Sequence, residues 1–462
     1  MVPHPSAASV PAGSAALSPP RSRRAIGLAL ASALLVGGSA GTAAATDGHV
    51  GGHSPDQTDR RSAHRVLDRE VLPAGDGWAS LGTGTTGGAD AEPDRVIEVS
   101  TCDELVAAVA GDEPTIVRVM ADIDANTRPD GTPIACEEYA RDGYTLEAYL
   151  DAFDPAHWEG PAEGPLEDAR TASREAQREQ ISANVGSNTT IVGVGDVTLT
   201  GFTLSISEVD NVILRNLTVS DAYDCFPGWN GDTWKTEWDN VVVSGSTHVW
   251  INHVTLDDGD THDAEQPEYF GEKFLRHDGL LDVVREADLV TISWSRFMDH
   301  DKSLLWGNGD DAVGDRGRLR VTMHHNEFID TLQRSPRVRF GQVNVYNNVY
   351  RVLDTERYHY SLGVGVESSI YATGNWFELA DGVAAGQIIR NWGGTGISAE
   401  GNWVNRHPTD ILAAHNAAHP DAVLSEEVEG SRGPHLQVQS APRASAVVTR
   451  AAGPGTVHRW FD

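Results

Sequence analysis

A short repeated motif constrains the fold of this chain more than any other feature. It has the form apolar-x-apolar-x-x-Asn/Ser-x-apolar, and it occurs in Val290–Phe297, Val321–Phe328, Val343–Tyr350, Ile370–Phe377 and Ile397–Val404, with looser copies in Val212–Val219 and Val249–Leu256. The copies recur roughly every 20–30 residues, a period typical of solenoids whose coils each bury apolar side chains against the next. An Asn at a fixed position in each coil can hydrogen-bond to its neighbours above and below.

The motif therefore predicts an all-β fold, a right-handed parallel β-helix with loops inserted on one face. An antiparallel sandwich also contains short alternating strands and is the alternative. The Asn at a constant position favours the β-helix, because a sandwich gives that position no recurring partner.

Two helices are predicted ahead of the repeats, where they can cover the open N-terminal end of the solenoid. One runs from Asp103, as its N-cap, to Ala110 and stops at Gly111. The other opens at Gly164-Pro165 and continues to about Gln180. The segment after about Asn405 has few strand signals, and we expect it to pack along the solenoid.

The N-terminus has the pattern of an export signal. Three arginines (Arg21, Arg23 and Arg24) precede the apolar run Ala25–Val36, and small residues follow at Ala43–Ala45. The run is shorter than the roughly 20 residues that a membrane anchor needs. We therefore expect a signal peptide at 1–45, a flexible polar leader at 46–65, a single β-helix domain at 66–462 and an extracellular protein. The choice between the Sec and the twin-arginine export route stays open.

The formal net charge of −32 argues against nucleic acid and against an anionic membrane as partners. The chain has three cysteines, Cys102, Cys136 and Cys225, and none stands in a zinc-binding spacing. An exported protein can hold one disulfide, and Cys102–Cys136 is the favoured pair because both residues lie in the N-terminal region. Three reduced thiols are the alternative, since connectivity cannot be deduced from sequence.

Two groups of charged residues are candidates for a functional site. Asp278 and Asp282 are four residues apart, so a strand or a helix would place them on one face, where a hard cation such as Ca²⁺ could hold both. Two solvated loop acids are the alternative. The segment Arg334-Ser-Pro-Arg-Val-Arg339 concentrates positive charge at a Pro-marked edge or bend. Such arginines can bind an anionic ligand through paired hydrogen bonds. The alternative is a basic patch that only makes the protein more soluble.

Several segments, in this order and spacing, resemble bacterial secreted pectate lyases, a family of polysaccharide lyases. They are Asn188–Gly193, Trp238–Asn240, Trp250–His253, His277–Gly279, His300–Lys302, His324–Asn326, Arg334–Arg339 and Tyr346–Asn348. The resemblance runs from roughly Val66 to at least Tyr350. One departure is Asn252, where the family usually has an Asp, and this puts a structural hydrogen bond in doubt.

The resemblance implies a function and a set of roles. Asp239, Asp278 and Asp282 match calcium ligands, Lys302 and Arg339 match residues that bind substrate carboxylates, and Arg334 matches the catalytic base. The implied reaction is calcium-dependent β-elimination of de-esterified α-1,4-polygalacturonate to 4,5-unsaturated oligogalacturonides, by a protein expected to be a monomer whose partner is the pectate polymer. A bound Ca²⁺ would also let so acidic a protein hold an acidic polymer.

Three other functions compete with this interpretation. A pectin lyase would act on the methylated polymer without calcium, and the three aspartates argue against it. A polygalacturonase would need clustered acids and leaves the arginines unexplained. A non-catalytic pectin-binding solenoid is the alternative from a different class, because fold alone does not give function.

Overall fold

The computed structural model describes residues 67–354 and 357–455. The predicted export signal (1–45) and leader (46–65) lie outside the described residues. None of the helices in the described ranges combines the length and the apolar character needed to cross a membrane.

Three long sheets, visited in turn by each coil of the chain, form the body of the protein. The first sheet consists of Val96–Val99, Thr115–Val119, Thr189–Gly193, Asp210–Arg215, Thr247–Asn252, Asp288–Ser293, Val321–His324, Gln342–Tyr346, Ser369–Thr373 and Ile397–Glu400. The second consists of Ile123–Asp124, Thr198–Thr200, Thr218–Ser220, Thr255–Asp257, Arg296–Lys302, Glu327–Gln333, Val349–Val352, Trp376–Leu379, Trp403–Val404 and His407–Pro408. The third consists of Ser182–Asn184, Thr203–Ser207, Val241–Ser244, Leu281–Val284, Leu305–Trp306, Arg337–Val338, Leu362–Gly365 and Ile389–Trp392.

Strand pairing within these sheets is parallel, except for the last pair of the second sheet. Among the other described strands, antiparallel pairing occurs in two small hairpins, Gly228–Trp229 with Trp234–Lys235 and Glu268–Tyr269 with Glu272–Lys273. Parallel strands joined by crossovers are almost always right-handed. The prediction of a right-handed parallel β-helix is confirmed, and an antiparallel sandwich is excluded.

A two-residue corner joins the first sheet to the second in each of the repeated motifs. The fifth motif residue adopts a left-handed backbone, with φ of 55° at Trp294, 56° at His325 and 55° at Asn347. In the last two motifs the position is Gly374 and Gly401, both with φ of 64°, a conformation that glycine adopts without steric cost. The corner turns the chain sharply enough for the next strand to start immediately.

The predicted asparagine interactions form a continuous ladder at the sixth motif position. The side-chain amide of Asn326 donates to Oδ1 of Asn348 at 3.0 Å, Asn348 donates to Asn375 at 3.2 Å, and Asn375 donates to Asn402 at 3.1 Å. All four side chains are buried. Since a buried amide without partners costs about 1–3 kcal/mol, this mutual pairing allows polar groups to line the interior.

The eighth motif position forms a second column, made of stacked aromatic rings. The ring centroids of Phe297 and Phe328 are 4.8 Å apart, those of Phe328 and Tyr350 4.7 Å, and those of Tyr350 and Phe377 4.6 Å. These rings belong to one apolar core that continues through the coils. The two columns fix the register of each coil on the next.

The helices of the described residues are Cys102–Val109, Cys136–Tyr139, Leu146–Ala152, Pro165–Ile181, Ile411–Ala418 and Ala441–Ala451. The first buries Leu105 and Val109 in the core near the N-terminal end, but its N-cap is Thr101, whose hydroxyl accepts from the Glu104 amide at 3.4 Å. The expected N-cap, Asp103, was wrong, because it lies one residue inside the helix. The helix that begins at Pro165 is confirmed.

The C-terminal segment packs along the β-helix, as predicted. The helix Ala441–Ala451 buries Ala441 and Val448 against Val349 and Trp376 of the second sheet. In this region, where the sequence has few strand signals, the apolar face of the helix makes the contact with the β-helix.

The disulfide joins Cys136 to Cys225 and leaves Cys102 free and buried. The favoured pairing of Cys102 with Cys136 was therefore wrong. Cys102 lies in the core of the β-helix, whereas Cys225 packs against an aromatic cluster that includes Tyr139 and Tyr149. Proximity along the sequence misled the prediction, because the inserted loop that follows Thr218–Ser220 returns to the helix at Cys136.

Candidate active site

Two of the three predicted metal-binding aspartates converge on a glycine at the edge of the third sheet. Asp239 precedes the strand Val241–Ser244, and Asp282 lies on the neighbouring strand. A Cβ atom at Gly279 would be 2.6 Å from Oδ1 of Asp239 and 2.8 Å from Oδ1 of Asp282. Only glycine leaves room for both carboxylates here, and its amide donates to Asp239 Oδ1 at 2.8 Å.

The electrostatics of this pair disfavour two negative charges. Burial, followed by the charges of Asp282 and Asp278, raises the pKa of Asp239 well above its usual range. Burial and the charge of Asp278 raise the pKa of Asp282 to about 7, although the Leu305 amide donates to its Oδ1 at 3.0 Å. Two such carboxylates are stabilised either by a proton or by a cation between them.

The third aspartate, Asp278, is paired with the predicted substrate-binding lysine. Lys302 Nζ lies 2.8 Å from Asp278 Oδ1. Burial lowers the pKa of Lys302, but the attraction and the hydrogen bond of Asp278 together outweigh it, so that the net pKa is raised. The described residues contain no group of three or more His, Cys, Asp or Glu arranged to hold a metal ion. The reason is local: two carboxylates meet at Gly279, and the third binds an ammonium group.

The donor set nevertheless fits a hard divalent cation. It offers carboxylate oxygens, which Ca²⁺ prefers, and a space beside Gly279 that a side chain would fill. A cation there would remove the repulsion that raises the pKa of Asp239 and Asp282.

A buried histidine beneath the site holds the backbone of Asp278. His300 Nδ1 is 2.6 Å from Oδ1 of Asp258, and its Nε2 is 3.0 Å from the carbonyl oxygen of Asp278. Both ring nitrogens face acceptors, so both carry hydrogen. Burial lowers the pKa of His300, but the charge and hydrogen bond of Asp258 outweigh it, and the net pKa is raised.

A second buried histidine continues this network. His277 Nε2 lies 2.9 Å from Oδ1 of Asp221, and its Nδ1 lies 3.1 Å from Oδ1 of Asp263. Burial opposes the charged ring, yet the hydrogen bonds of Asp221 and Asp263 raise the pKa of His277 to about 10. The sequence motifs contained both histidines, but Asp221 and Asp263 carried no signal, because they come from different loops.

The arginine-rich segment forms a bend, as its proline predicted. Arg334 has a left-handed backbone (φ 58°), the Ser335–Pro336 peptide is cis, and the strand Arg337–Val338 follows. The carbonyl of Arg334 accepts from the Leu304 amide at 2.7 Å, which ties the bend to the strand beside Asp282. Its buried Nε has no hydrogen-bond partner among the described residues. Arg334 also contributes a charge that favours the ionised form of Asp282.

The last arginine of the segment, Arg339, is held by protein groups. Its Nη1 donates to the carbonyl of Gly307 at 2.7 Å, and its Nε is paired with the exposed carboxylate of Asp310. The side chain is largely buried. The structure thus brings Arg339 to the third sheet, next to the bend, with an internal ion pair.

The departure at Asn252 leaves the doubted hydrogen bond in place. Arg215 donates to Asn252 Oδ1 at 2.9 Å, and the Asn252 amide donates to Ser293 Oγ at 3.1 Å. A carboxylate for Arg215 comes instead from Glu70, at 2.8 Å. Arg215, Asn252 and Ser293 lie on the first sheet, and Glu70 lies in the segment before the first strand. The asparagine at position 252 therefore does not alter the aspartate site.

Comparison with known proteins agrees with the fold and the motifs. The family model described as "Pectate lyase" matches residues 66–149 and 162–423. The chain is 34% identical to a pectate lyase of Bacillus subtilis (strain 168) over 85% of its own length and 94% of the relative. It is 38% identical to pectate lyase E of Dickeya dadantii (strain 3937) over 66% of its own length and 68% of that protein.

Solved structures show the same similarity in three dimensions. A mutant of Bacillus subtilis pectate lyase superposes with a TM-score of 0.80 at 34% identity, covering 84% of this chain and 99% of that one. The thermostable pectate lyase PL 47 superposes with a TM-score of 0.82 at 38% identity over the same shares. A pectate lyase bound to a hexasaccharide gives 0.80 at 34% identity, again over 84% and 99%. The chain therefore belongs to the pectate lyase family, and it is an enzyme of the polysaccharide lyase class.

Proposed function

We propose that this enzyme cleaves de-esterified α-1,4-polygalacturonate by calcium-dependent β-elimination, with Arg334 as the base. The observation that carries the proposal is the convergence of Asp239 and Asp282 on Gly279, next to Asp278 and Lys302. Negative groups that need a cation stand beside positive groups that can receive an anion. A uronate carboxylate bridged by Ca²⁺ satisfies both requirements.

In this mechanism Asp239, Asp278 and Asp282 would hold the Ca²⁺, and the ion would supply Lewis-acid stabilisation of negative charge on the uronate carboxylate. Lys302 and Arg339 add positive charge on the side of the third sheet where the substrate would lie. Both stabilise the charge that develops when the carbon next to the carboxylate loses its proton.

Arg334 takes the proton from C5 of the galacturonate. The electron pair of that C–H bond forms the C4–C5 double bond, the C4–O bond breaks, and the glycosidic oxygen leaves and is protonated by solvent. The buried Nε of Arg334 supports this role, because it forms no hydrogen bond to a carboxylate of the described residues. Since arginine is ordinarily protonated up to a pH of about 12, the rate should climb from neutral into alkaline pH.

The substrate also agrees with the proposed location. A plant-wall polymer is met outside the cell, and the basic and apolar N-terminal pattern is that of an export signal. We propose that the enzyme is secreted and acts on the polymer as a monomer.

The test follows the ultraviolet absorbance of the unsaturated product on pectate and on methylated pectin, with EDTA or with added Ca²⁺. We expect absorbance to rise on pectate with Ca²⁺ and to stop in EDTA. Asp278→Asn should lose most of this activity, whereas the exposed Asp196→Asn should behave as the native enzyme.

The other outcomes separate the competing functions. Full activity in EDTA with a preference for the methylated polymer would indicate a pectin lyase. New reducing ends without unsaturated product would indicate a hydrolase. Binding of pectate without any cleavage would indicate a non-catalytic solenoid.

A further inference from the structure

Two asparagines of this chain are followed by glycine, in the pairs Asn230-Gly231 and Asn308-Gly309. Such a pair exposes the asparagine to attack by the chain itself, because glycine places no Cβ atom beside its own amide nitrogen. That nitrogen can bond to the side-chain carbonyl carbon of the preceding asparagine when the side chain rotates towards it. The structure gives the two pairs different surroundings, and the difference decides which of them can react.

Asn230 is fixed in the turn of a hairpin. Its Oδ1 accepts hydrogen bonds from the amides of Asp232, at 3.0 Å, and Thr233, at 2.8 Å, the pattern of an Asx turn. The glycine of this pair is confined as well, since a Cβ atom at Gly231 would be 2.8 Å from the carbonyl carbon of Gly160. Rotation of the Asn230 side chain towards the Gly231 nitrogen would break both hydrogen bonds.

Asn308 has none of these restraints. It is exposed, in the loop that follows the strand Leu305–Trp306. Within the described ranges of the chain, the Asn308 side chain makes no hydrogen bond and the Gly309 amide donates none. The side-chain carbonyl carbon of Asn308 can therefore approach the Gly309 nitrogen without the loss of a protein contact.

The loop that carries Asn308 also holds Arg339. The carbonyl oxygen of Gly307 accepts from Arg339 Nη1 at 2.7 Å, and the carboxylate of Asp310 is paired with Arg339 Nε. Asn308 and Gly309 are the two residues between these contacts. A Cβ atom at Gly307 would be 2.8 Å from the carbonyl oxygen of Arg339, so the loop runs directly against the backbone of that arginine. A change in charge or backbone length at Asn308 therefore acts on the guanidinium from within its own binding loop.

We propose that Asn308 is a site of spontaneous deamidation, and that the reaction weakens substrate binding through Arg339. The Gly309 nitrogen loses its proton and bonds to Cγ of Asn308, and the side-chain amide leaves as ammonia. Water then opens the succinimide ring. Opening at Cγ gives aspartate, and opening at the main-chain carbonyl gives isoaspartate, whose backbone is one carbon longer. Water is the only other reactant, and the reaction accelerates with pH because the attacking nitrogen must lose a proton.

Both products place a new carboxylate in the loop that holds Arg339. It competes with the substrate carboxylate for the guanidinium and repels the anionic polymer. Isoaspartate also changes the spacing between the Gly307 and Asp310 contacts. This consequence for substrate binding rests on the proposed function, whereas the deamidation itself does not. The enzyme loses affinity for pectate with age, and it does so fastest at the alkaline pH where its turnover is expected to be highest.

Peptide mapping of the enzyme after storage at pH 9 tests the reaction itself. Asn308 is the one asparagine of the tryptic peptide Ser303–Arg316, whose mass should rise by the exchange of NH2 for OH. Labelling by an isoaspartate methyltransferase should detect the second product. Because two hydrogen bonds restrain Asn230, it should react at least about tenfold more slowly than Asn308. An unmodified Asn308, or equal rates at the two asparagines, would overturn the site.

Steady-state kinetics on pectate before and after storage test the consequence. Storage should raise KM about threefold to tenfold with kcat within about twofold of its initial value, and Asn308→Asp should raise KM without storage. Asn308→Ser, which has no amide to lose, should start at the native KM and keep it. Asn230→Ser is the matched control and should age as the native enzyme does.

Two results would refute the link to Arg339. One is a stored enzyme that is modified at Asn308 but keeps its KM, and the other is an equal loss of affinity in the native enzyme and in Asn308→Ser. The mass change needs no turnover, so a native enzyme that is inactive on pectate before storage would count against the proposed function and not against the deamidation site.

Discussion

Removing the negative charge of Asp282 should make the metal-free protein more stable. In EDTA at pH 8, Asp282→Asn relieves the repulsion among Asp239, Asp278 and Asp282. The amide keeps the acceptor for the Leu305 amide, which lies 3.0 Å from Oδ1 in the native protein. Most substitutions of a buried polar residue destabilise a protein, so a gain in stability would be a specific signature of crowded charge.

The magnitude follows from the pKa of Asp282, which burial and the charge of Asp278 raise from 3.8 to about 7. Each pH unit corresponds to about 1.4 kcal/mol, so the ionised form costs at most roughly 4 kcal/mol. That pKa already includes the attraction of Asp282 to Arg334 and Lys302. Because a protein relaxes around a buried charge, about half of this upper bound, a net gain of about 2 kcal/mol, is expected.

The free energy of unfolding should change with pH at Asp282 in the direction opposite to that of an ordinary aspartate, whose pKa is lowered in the folded protein. A raised pKa in the folded state means that stability is present below about pH 4 and is lost as the pH rises towards 7. The advantage of Asp282→Asn should therefore shrink at pH 5, where the native side chain is already protonated.

Urea unfolding followed by tryptophan fluorescence measures both effects. The matched variant, Asp278→Asn, should lose about 1 kcal/mol in EDTA, because it breaks the ion pair with Lys302, whose side chain is only 15% exposed. Excess Ca²⁺ should stabilise the native protein more than either variant. If Asp282→Asn were destabilised in EDTA at pH 8, crowding of charge would not dominate this site.

Three further predictions concern other parts of the molecule. Arg334→Lys should lower kcat on pectate by about a hundredfold or more, because lysine cannot place a nitrogen where the guanidinium stood. Circular dichroism and the Ca²⁺ response should stay native. Native turnover would show that Arg334 is not the base. Asn348→Ala should lower the free energy of unfolding by about 3 kcal/mol in urea, since it leaves neighbouring buried amides unpaired, and a change below about 0.5 kcal/mol would contradict the role of the ladder. Cys136→Ser should lower it by about 2–4 kcal/mol through loss of the disulfide. The control, Cys102→Ala, keeps that disulfide and should respond to reductant and oxidant as the native protein does.

The repeated part of the fold was predictable from the sequence because its information is local. Each motif carries its own strand pattern, and the asparagine position repeats at a constant offset, so the pairing of Asn348 with Asn375 follows from stacking identical units. The proline in the arginine segment likewise predicted a bend before Arg337.

The contacts between inserted loops were not predictable in the same way. The Cys136–Cys225 disulfide, the pairing of Asp278 with Lys302 and the aspartates around His277 each join segments of unequal length. Their geometry depends on how the loops pack and not on any pattern within one segment. The resemblance supplied the candidate site residues, but it did not reveal which of them bind one another in the metal-free protein.

The two-residue corner between the first and second sheets has a consequence for how proteins of this architecture can diverge. From Arg215 onward, two residues separate the strands at that corner in every coil, whereas the corner between the second and third sheets ranges from two residues, after Lys302, to more than twenty, after Asp257. An insertion at the first corner would push an asparagine out of the ladder and disturb every coil beyond it. An insertion at the second corner leaves the asparagine ladder unchanged. The second corner carries Asp239, Asp278 and Arg334. New substrate specificities can therefore arise by lengthening the loops at this corner while the fold stays the same.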